Sequence, residues 1–203
     1  MNKRQRIVEE NHLLLDLWHQ SQAGDSVAFC HLADKLYRTL FNYACNFTPD
    51  REFVKDAIQE LMINIWEKRQ KIEIQFVTIY FLKSLRNQLL QEFRRASHSY
   101  SFLDIDDFGQ ISDYQTIEKQ IEQNEIYSEN QFKVRTAIDE LPKRQKEAVF
   151  LKYFEGMENE QIADLMQVNR QSVANLLFKA LSTLKSQIPA LTVLLSSLIR
   201  FLF

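Results

Sequence analysis

The stretch "ENEQIADLMQVNRQSVANLLFKAL", residues 158–181, contains two helical patterns separated by the short turn "QVN". In the second pattern, Val173, Leu177, Ala180 and Leu184 recur at three-and-four spacing and should face inward. Two short helices joined by a tight turn are typical of a helix-turn-helix, whose second helix can lie in the major groove of DNA. The stretch therefore predicts a small helical domain with a recognition helix.

The outward side of this second helix is polar but poor in positive charge. Amide and hydroxyl side chains can read base edges, whereas Lys and Arg supply the phosphate contacts that dominate affinity. The stretch from Val168 to Leu184 carries only two cations, Arg170 and Lys179, and Lys185 follows directly after it. We expect a small electrostatic contribution from the predicted DNA-binding residues of this helix, which are Arg170, Gln171, Ser172, Asn175 and Lys179.

The composition of the whole chain predicts an all-α fold. Its 203 residues include only 3 Gly and 3 Pro, too few for the many turns of a sheet-rich protein. Hydrophobic residues make up 45% of the chain, which is enough to form a core. Acidic residues concentrate between Tyr100 and Asn130, where Lys119 is the single base. We therefore predict two small helical domains joined by an acidic linker, with an apolar tail after the second: 1–97, 98–130, 131–187 and 188–203.

The first domain should contain several amphipathic helices. One of them turns Val54, Ile58 and Leu61 inward and leaves the opposite side polar and available. A long helix from about Phe76 to Ala96 ends in "FRRAS", the most cationic helix end in the chain. Cations are also favourable at a helix C-terminus for purely structural reasons, so this charge alone does not establish a binding site.

The residue types exclude several functions. No nucleophile pair, carboxylate pair, Gly-rich phosphate loop or metal-ligand spacing is visible, so we predict a non-enzyme without cofactor or metal. Cys30 and Cys45 lack a CxxC partner and are interpreted as reduced, packed thiols. The N-terminus lacks a signal-peptide pattern, and the tail at Leu191–Phe203 is too short to span a membrane. We expect a cytoplasmic protein.

Four blocks in one order give the chain a family resemblance. They are "AGDSVAFCHLADKLYRTLFNYA", "VKDAIQELMINIWEKR", "YFLKSLRNQLLQEFRR" and "AIDELPKRQKEAVFLKYFEGMENEQIADLMQVNRQSVANLLFKAL". Together they resemble the extracytoplasmic-function group of bacterial RNA polymerase sigma factors, from roughly Leu13 to Lys185. The resemblance implies an alternative sigma factor that binds core RNA polymerase and directs transcription initiation at promoter DNA.

The resemblance also implies roles for the first domain and the linker. The polar helix face would bind the clamp of the polymerase large subunit through Asp56, Gln59, Glu60 and Asn64. The loop before Phe76 and the long helix would capture and melt the minus-ten element. The linker would enter the polymerase cleft along the path of the nascent RNA. The predicted minus-ten contacts are Lys71, Gln75, Tyr80, Lys83, Arg86, Asn87, Arg94 and Arg95.

The chain departs from the family in its recognition helix, which carries apolar residues where basic ones are usual. One explanation is that the polymerase supplies the missing affinity. The other is that a protein covers this face together with the tail, so that an anti-sigma factor or a DNA-bound or guide-bound recruiting protein holds the domain. The residues of that possible partner site are Leu176, Phe178, Leu181, Leu194, Leu198 and Phe201.

Two further readings remain open at this point. A sigma-like adaptor or sequestered regulator would act through protein contacts without reading the minus-thirty-five element on its own. Peripheral membrane attachment through the tail is disfavoured because no basic cluster lies beside it. The tail could instead pack on its own domain or on another copy, since an exposed apolar segment favours aggregation.

Overall fold

A computed structural model describes residues 3–97, 134 and 136–187, and all the regular elements within those residues are helical. The predicted all-α fold is confirmed. The whole predicted linker, 98–130, and the whole apolar tail, with Leu194, Leu198 and Phe201, lie outside the described residues. The α-helices with both ends described are α1 (Lys3–Gln22), α2 (Ser26–Ala44), α3 (Arg51–Lys68), α4 (Val77–Ser97), α5 (Lys143–Val149), α6 (Asn159–Met166) and α7 (Arg170–Gln187), and residues 134 and 136–139 are helical as well.

Helices α1 to α4 form the first group, and acidic caps define where two of them begin. The Asp25 carboxylate accepts the backbone N–H groups of Val27 and Ala28, at 2.9 and 3.1 Å. Asp50 accepts the N–H of Phe53 at 3.0 Å in the same way. Because these N–H groups have no partner within the helix, each cap stabilises its helix by about 1 kcal/mol.

The core of this group is built from the apolar stripes of all four helices. Trp18 of α1 is buried and meets the edge of Phe81 of α4, with the ring centres 6.2 Å apart. Leu32 and Leu40 of α2 and Ile58 of α3 are buried alongside. Cys30 lies off the α2 stripe and is exposed, so the prediction that it is packed is wrong, although both thiols are free.

The second group contains the predicted helix-turn-helix. Helix α5 continues as a π-helical segment, Phe150–Phe154. Between α6 and α7, Gln167 adopts the left-handed conformation at φ 57°, which reverses the chain. Asn169 then caps α7 by accepting the N–H of Ser172 at 2.7 Å. The predicted inward residues are buried as expected: Val173, Leu177, Ala180 and Leu184.

The two groups pack against each other. Helix α4 contacts α6, and the ring of Tyr43 in α2 lies 6.0 Å from that of Phe150. The buried apolar residues of both groups belong to one contiguous cluster. Any functional residue on the packed side of α4 is therefore covered by the second group.

Candidate functional site

The polar face of α3 is presented to solvent as the sequence predicts. Asp56, Gln59 and Glu60 are exposed and Asn64 is half-buried. Gln88 of α4 reaches this face, where its amide N–H donates to Glu60 at 2.9 Å and to the carbonyl of Ala57 at 3.2 Å. The face is therefore an acidic and amide surface whose position is fixed by α4.

The loop between α3 and α4 begins with the 3₁₀ turn Arg69–Lys71 and exposes Lys71 and Gln75. The guanidinium of Arg69 lies over the ring of Trp66, 3.8 Å from its centre, and donates to the carbonyl of Trp66 at 2.7 Å. Phe76, at the end of the loop, is 45% exposed. The loop thus presents a cation, an amide and an aromatic ring together.

Two residues of α1 anchor this loop. The side-chain amide of Gln22 donates to the carbonyls of Arg69 and Ile72, both at 2.9 Å. Asn11 donates to the carbonyl of Gln75 at 3.0 Å and accepts the N–H of Val77 at 3.1 Å. Sequence analysis did not single out either residue, because an amide on a helix has no local signal that distinguishes an anchor from a solvated side chain.

Helix α4 places two of its predicted DNA contacts against the second group. Arg86 is only 4% exposed, and its Nε donates to Glu147 at 2.9 Å. Lys83 donates to both carboxylate oxygens of Asp164 at 2.8 Å. The sequence predicted these cations as available for DNA, whereas in this structure the carboxylates of α5 and α6 bind them.

The remaining predicted residues of α4 are more accessible. Tyr80 and Asn87 are half-buried, and Tyr80 packs edge-on against Phe81 with 6.1 Å between ring centres. Arg94 and Arg95 are exposed, and Arg95 donates to Glu92 one turn away at 2.7 Å. The C-terminal end of α4 therefore keeps its positive charge at the surface.

A buried tyrosine completes the contact between the groups. The Tyr43 hydroxyl donates to the same Glu147 oxygen that accepts Arg86, at 2.6 Å. Burial raises the pKa of Tyr43 well above its ordinary value of 10.0, and the negative charge of Glu147 raises it further, while Arg86 opposes the shift. The phenol therefore stays protonated and remains a hydrogen-bond donor.

Helix α7 presents the predicted recognition residues with few charges. Gln171 and Asn175 are exposed, and their side chains share a hydrogen bond of 3.3 Å. Ser172 is half-buried and Lys179 is exposed, while Arg170 pairs with Glu160 at 3.1 Å. Asn169, which caps the helix, was not among the predicted residues.

The possible partner site lies partly on the same helix. Phe178 is 75% exposed, and Leu176 and Leu181 are half-buried. A large ring exposed to this degree has no packing role within the described residues. The same surface thus carries polar groups suited to base edges and one aromatic group that water does not stabilise.

Two family matches account for more than half of the chain. Residues 32–99 match sigma-70 region 2, and residues 131–184 match sigma-70 region 4. No curated protein matches the chain. A region that contacts polymerase and promoter, followed by a helix-turn-helix region, defines a transcription initiation factor.

The fold is similar to two solved structures. One is the structure of CnrH in complex with the cytosolic domain of CnrY, with a TM-score of 0.57, 16% identity, and 86% of this chain and 96% of that chain covered. The other is the sigma factor RpoE in complex with the anti-sigma factor NepR from Bartonella quintana, with a TM-score of 0.56, 16% identity, and coverage of 78% and 95%.

The chain belongs to the sigma-70 family, because both matched regions are present in one chain and in that family's order. It binds core RNA polymerase and promoter DNA and acts in transcription initiation. Within the residues that the structure describes, no helix is long and apolar enough to cross a membrane. In the same residues, no group of His, Cys, Asp and Glu side chains is arranged to hold a metal ion.

Proposed function

We propose that three surfaces of this factor divide the work of initiation. The polar face of α3 binds core polymerase through Asp56, Gln59, Glu60 and Asn64. The observation that carries this assignment is the two-sided character of α3, whose residues Val54, Ala57, Ile58, Leu61 and Ile65 are buried on the opposite side. Packing explains the buried side, but packing alone does not require the exposed carboxylates.

The loop at residues 69–76 and the helix α4 bind and melt the minus-ten element. The anchored loop supports this role because a single strand binds best to a rigid platform with a cation and an aromatic ring. Lys71 and Gln75 provide polar contacts there, and Phe76 offers a ring on which an unstacked base can rest. Along α4, the contacts come from Tyr80, Lys83, Arg86, Asn87, Arg94 and Arg95.

Helix α7 contacts the upstream promoter element through Gln171, Ser172 and Asn175, assisted by Arg170 and Lys179. A second function of this helix is favoured by the exposure of Phe178. In that function a protein partner covers Phe178, Leu176 and Leu181 and positions the factor upstream. The RpoE structure contains an anti-sigma factor, and we propose that a protein of that kind also sequesters this chain.

Such a factor is a non-enzymatic regulator that works in the cytoplasm, where core polymerase and promoters are found. Initiation in this scheme requires binding energy and strand capture rather than a chemical step by the factor. The described residues contain no arrangement suited to metal binding, and the proposed mechanism needs none.

The test of promoter recognition is transcription from a random promoter library by purified core polymerase with this protein alone, at low and moderate salt. Transcripts that share an upstream motif and a minus-ten motif would support autonomous reading by α7. Transcripts that share only a minus-ten motif would assign upstream targeting to a partner. Polymerase binding without any shared motif would reject the assignment of α4.

The α3 surface is tested by Asp56→Ala combined with Gln59→Ala. We expect the affinity for core polymerase to fall by at least about tenfold, as for loss of central contacts in an interface. Asp34→Ala, an exposed acidic residue on α2, is the matched control and should bind normally. Equal affinity of both variants would reject this surface.

The two roles of α7 are separated by two substitutions. Gln171→Ala should reduce transcription that depends on the upstream element if α7 reads DNA. Phe178→Ala should leave that transcription unchanged and weaken capture by an anti-sigma or recruiting protein if the ring binds a partner. An opposite pattern, with Phe178→Ala affecting promoter binding alone, would contradict the partner function.

A further inference from the structure

Glu147 connects three helices from both groups. Its side chain is 6% exposed, and its Oε1 accepts the Tyr43 hydroxyl at 2.6 Å and Arg86 Nε at 2.9 Å. A buried carboxylate is costly unless a cation and hydrogen bonds satisfy it. Tyr43, Arg86 and Glu147 therefore form a unit in which each group depends on the others.

A second ion pair lies one turn earlier along α4. Lys83 donates to both oxygens of Asp164 at 2.8 Å, and this pair is more accessible because Asp164 is 65% exposed. Together the two pairs place carboxylates of α5 and α6 along the same side of α4. The packing of Tyr43 against Phe150 adds an apolar contact beside them.

The bound cations belong to the proposed minus-ten surface. Arg and Lys bind carboxylate and phosphate through the same kind of charge-assisted hydrogen bond. One guanidinium cannot be buried against Glu147 and lie on a DNA strand at the same time. The carboxylates thus bind the same donor groups that DNA phosphates would use.

We propose that Glu147 and Asp164 are intramolecular competitors of promoter DNA, which hold Arg86 and Lys83 and keep the free factor closed. Binding to the minus-ten strand then requires α5 and α6 to leave α4. This inference rests on the proposed function of α4. The chain length permits the separation, because residues 98–133 could span more than ~100 Å if extended at ~3.3 Å per residue.

A closed state of this kind lowers the apparent affinity for DNA in proportion to the small fraction of open molecules. Core polymerase can favour the open state by binding it preferentially, as any ligand with differential affinity does. Weakening the contact should therefore raise the DNA affinity of the free factor. It should have less effect once polymerase has already opened the molecule.

The test compares the full-length protein with Glu147→Gln, without polymerase. The substitution keeps the shape of the side chain and removes its charge. Binding of a labelled single-stranded minus-ten oligonucleotide, taken from a promoter that the holoenzyme opens, is measured by anisotropy. We expect the variant to bind about tenfold more tightly, in line with a closed state favoured by roughly that factor. Small-angle X-ray scattering should show a larger radius of gyration.

Glu140→Gln is the matched control, since it removes one negative charge from the same group at an exposed residue whose hydrogen-bond partner, the side-chain amide of Gln187, is uncharged. An equal gain in DNA affinity for both variants would show that the effect comes from the change in net charge, and it would overturn the proposal. So would a Glu147→Gln protein that is folded, as compact as the original and unchanged in binding.

Asp164→Lys keeps the proposal testable if Glu147→Gln does not fold. Asp164 is largely exposed, and a lysine there repels Lys83 without creating a buried charge. We expect a gain of about threefold in affinity for the oligonucleotide, smaller because exposed pairs contribute less. No gain, together with unchanged dimensions, would overturn the proposal.

Arg86→Ala, tested in the holoenzyme, distinguishes failure of this inference from failure of the proposed function. If that holoenzyme opens promoters normally, α4 does not use Arg86 on DNA, and the proposed function of this residue fails. If it is defective while the Glu147→Gln and Asp164→Lys proteins bind as the original does, the proposed function stands and the competition is rejected.

Discussion

Tyr43 shows how one buried hydroxyl links stability to pH. Its hydrogen bond to Glu147 requires the protonated phenol, and both burial and that carboxylate raise its pKa above 10.0. In the unfolded chain the phenol loses its proton at the ordinary pKa. Above about pH 10 the folded state therefore keeps a proton that the unfolded state has lost. The contribution of this group to the free energy of unfolding is fully present below about pH 10 and declines as the pH rises from there through the pKa of the folded state.

We predict that the free energy of unfolding falls more steeply between about pH 9 and about pH 11 in the original protein than in Tyr43→Phe. The limiting difference in slope is about 1.4 kcal/mol per pH unit for one proton. Urea unfolding at several pH values measures it. Tyr153, whose pKa is also raised by burial, is present in both proteins and cancels in the comparison. Parallel slopes would contradict the prediction.

At the residue scale, the sequence predicts which side chains carry charge but not which charges meet. Arg86 lies in a cationic helix, and its assignment as a DNA contact follows from that helix alone. Glu147 lies more than sixty positions away, in a block whose residue types give no sign of a partner on α4. Their pairing depends on how two helical groups pack, which no local periodicity contains.

At the element scale, helix positions follow closely from caps and apolar spacing. The inward residues of α7 lie where the apolar spacing places them, and Asp25 and Asp50 stand at helix starts, where aspartate is common. The anchoring of the loop at residues 69–76 was not predictable, because Asn11 and Gln22 bond to backbone carbonyls distant in sequence. Backbone acceptors have no residue-type signal.

We predict that Asn11→Ala slows promoter opening by the holoenzyme about fivefold to tenfold. The change leaves the carbonyl of Gln75 and the N–H of Val77 without their partner, which costs on the order of 1 kcal/mol and loosens the loop. Opening is measured by permanganate footprinting. Gln20→Ala, an exposed residue of α1, is the control. Affinity for core polymerase should stay constant, and a loss there would point to a folding defect instead.

The turn of the helix-turn-helix gives a separate prediction. Gln167 adopts positive φ, where a side chain costs on the order of 1 kcal/mol and glycine costs much less. We expect Gln167→Gly to raise the free energy of unfolding by roughly 0.5 kcal/mol, after the greater entropy of the unfolded glycine is subtracted. Gln91→Gly, within α4, should lower it by about 1 kcal/mol. Thermal unfolding of both variants provides the comparison.

At the scale of the whole molecule, the two-part architecture follows from composition and from the order of the blocks. The contact between the parts does not. It depends on paired buried charges, whose partners are chosen by three-dimensional packing. A sequence with the same helices and a different residue at position 147 would lead to the same predicted two-part fold.

The charge distribution of the whole molecule predicts a weak salt dependence for upstream recognition. Helix α7 carries only Arg170, Lys179 and Lys185, so the upstream element should add no more than about 3 to the slope of log affinity against log salt. Holoenzyme binding to promoters with and without that element measures the difference. Lys179→Ala should reduce the slope by about 1. A much steeper dependence would indicate phosphate contacts from other helices.

The burial of Arg86 against Glu147 also bears on where unassembled copies of the factor reside in a cell. A chromosome is a vast reservoir of nonspecific phosphate sites that retains proteins with accessible cations. If Arg86 and Lys83 bind DNA as proposed, a factor that pairs both with its own carboxylates is held less strongly by that reservoir. Newly made copies would stay available to polymerase. Transcription would then rise as soon as the factor is made, without a delay in which the first copies occupy nonspecific genomic sites.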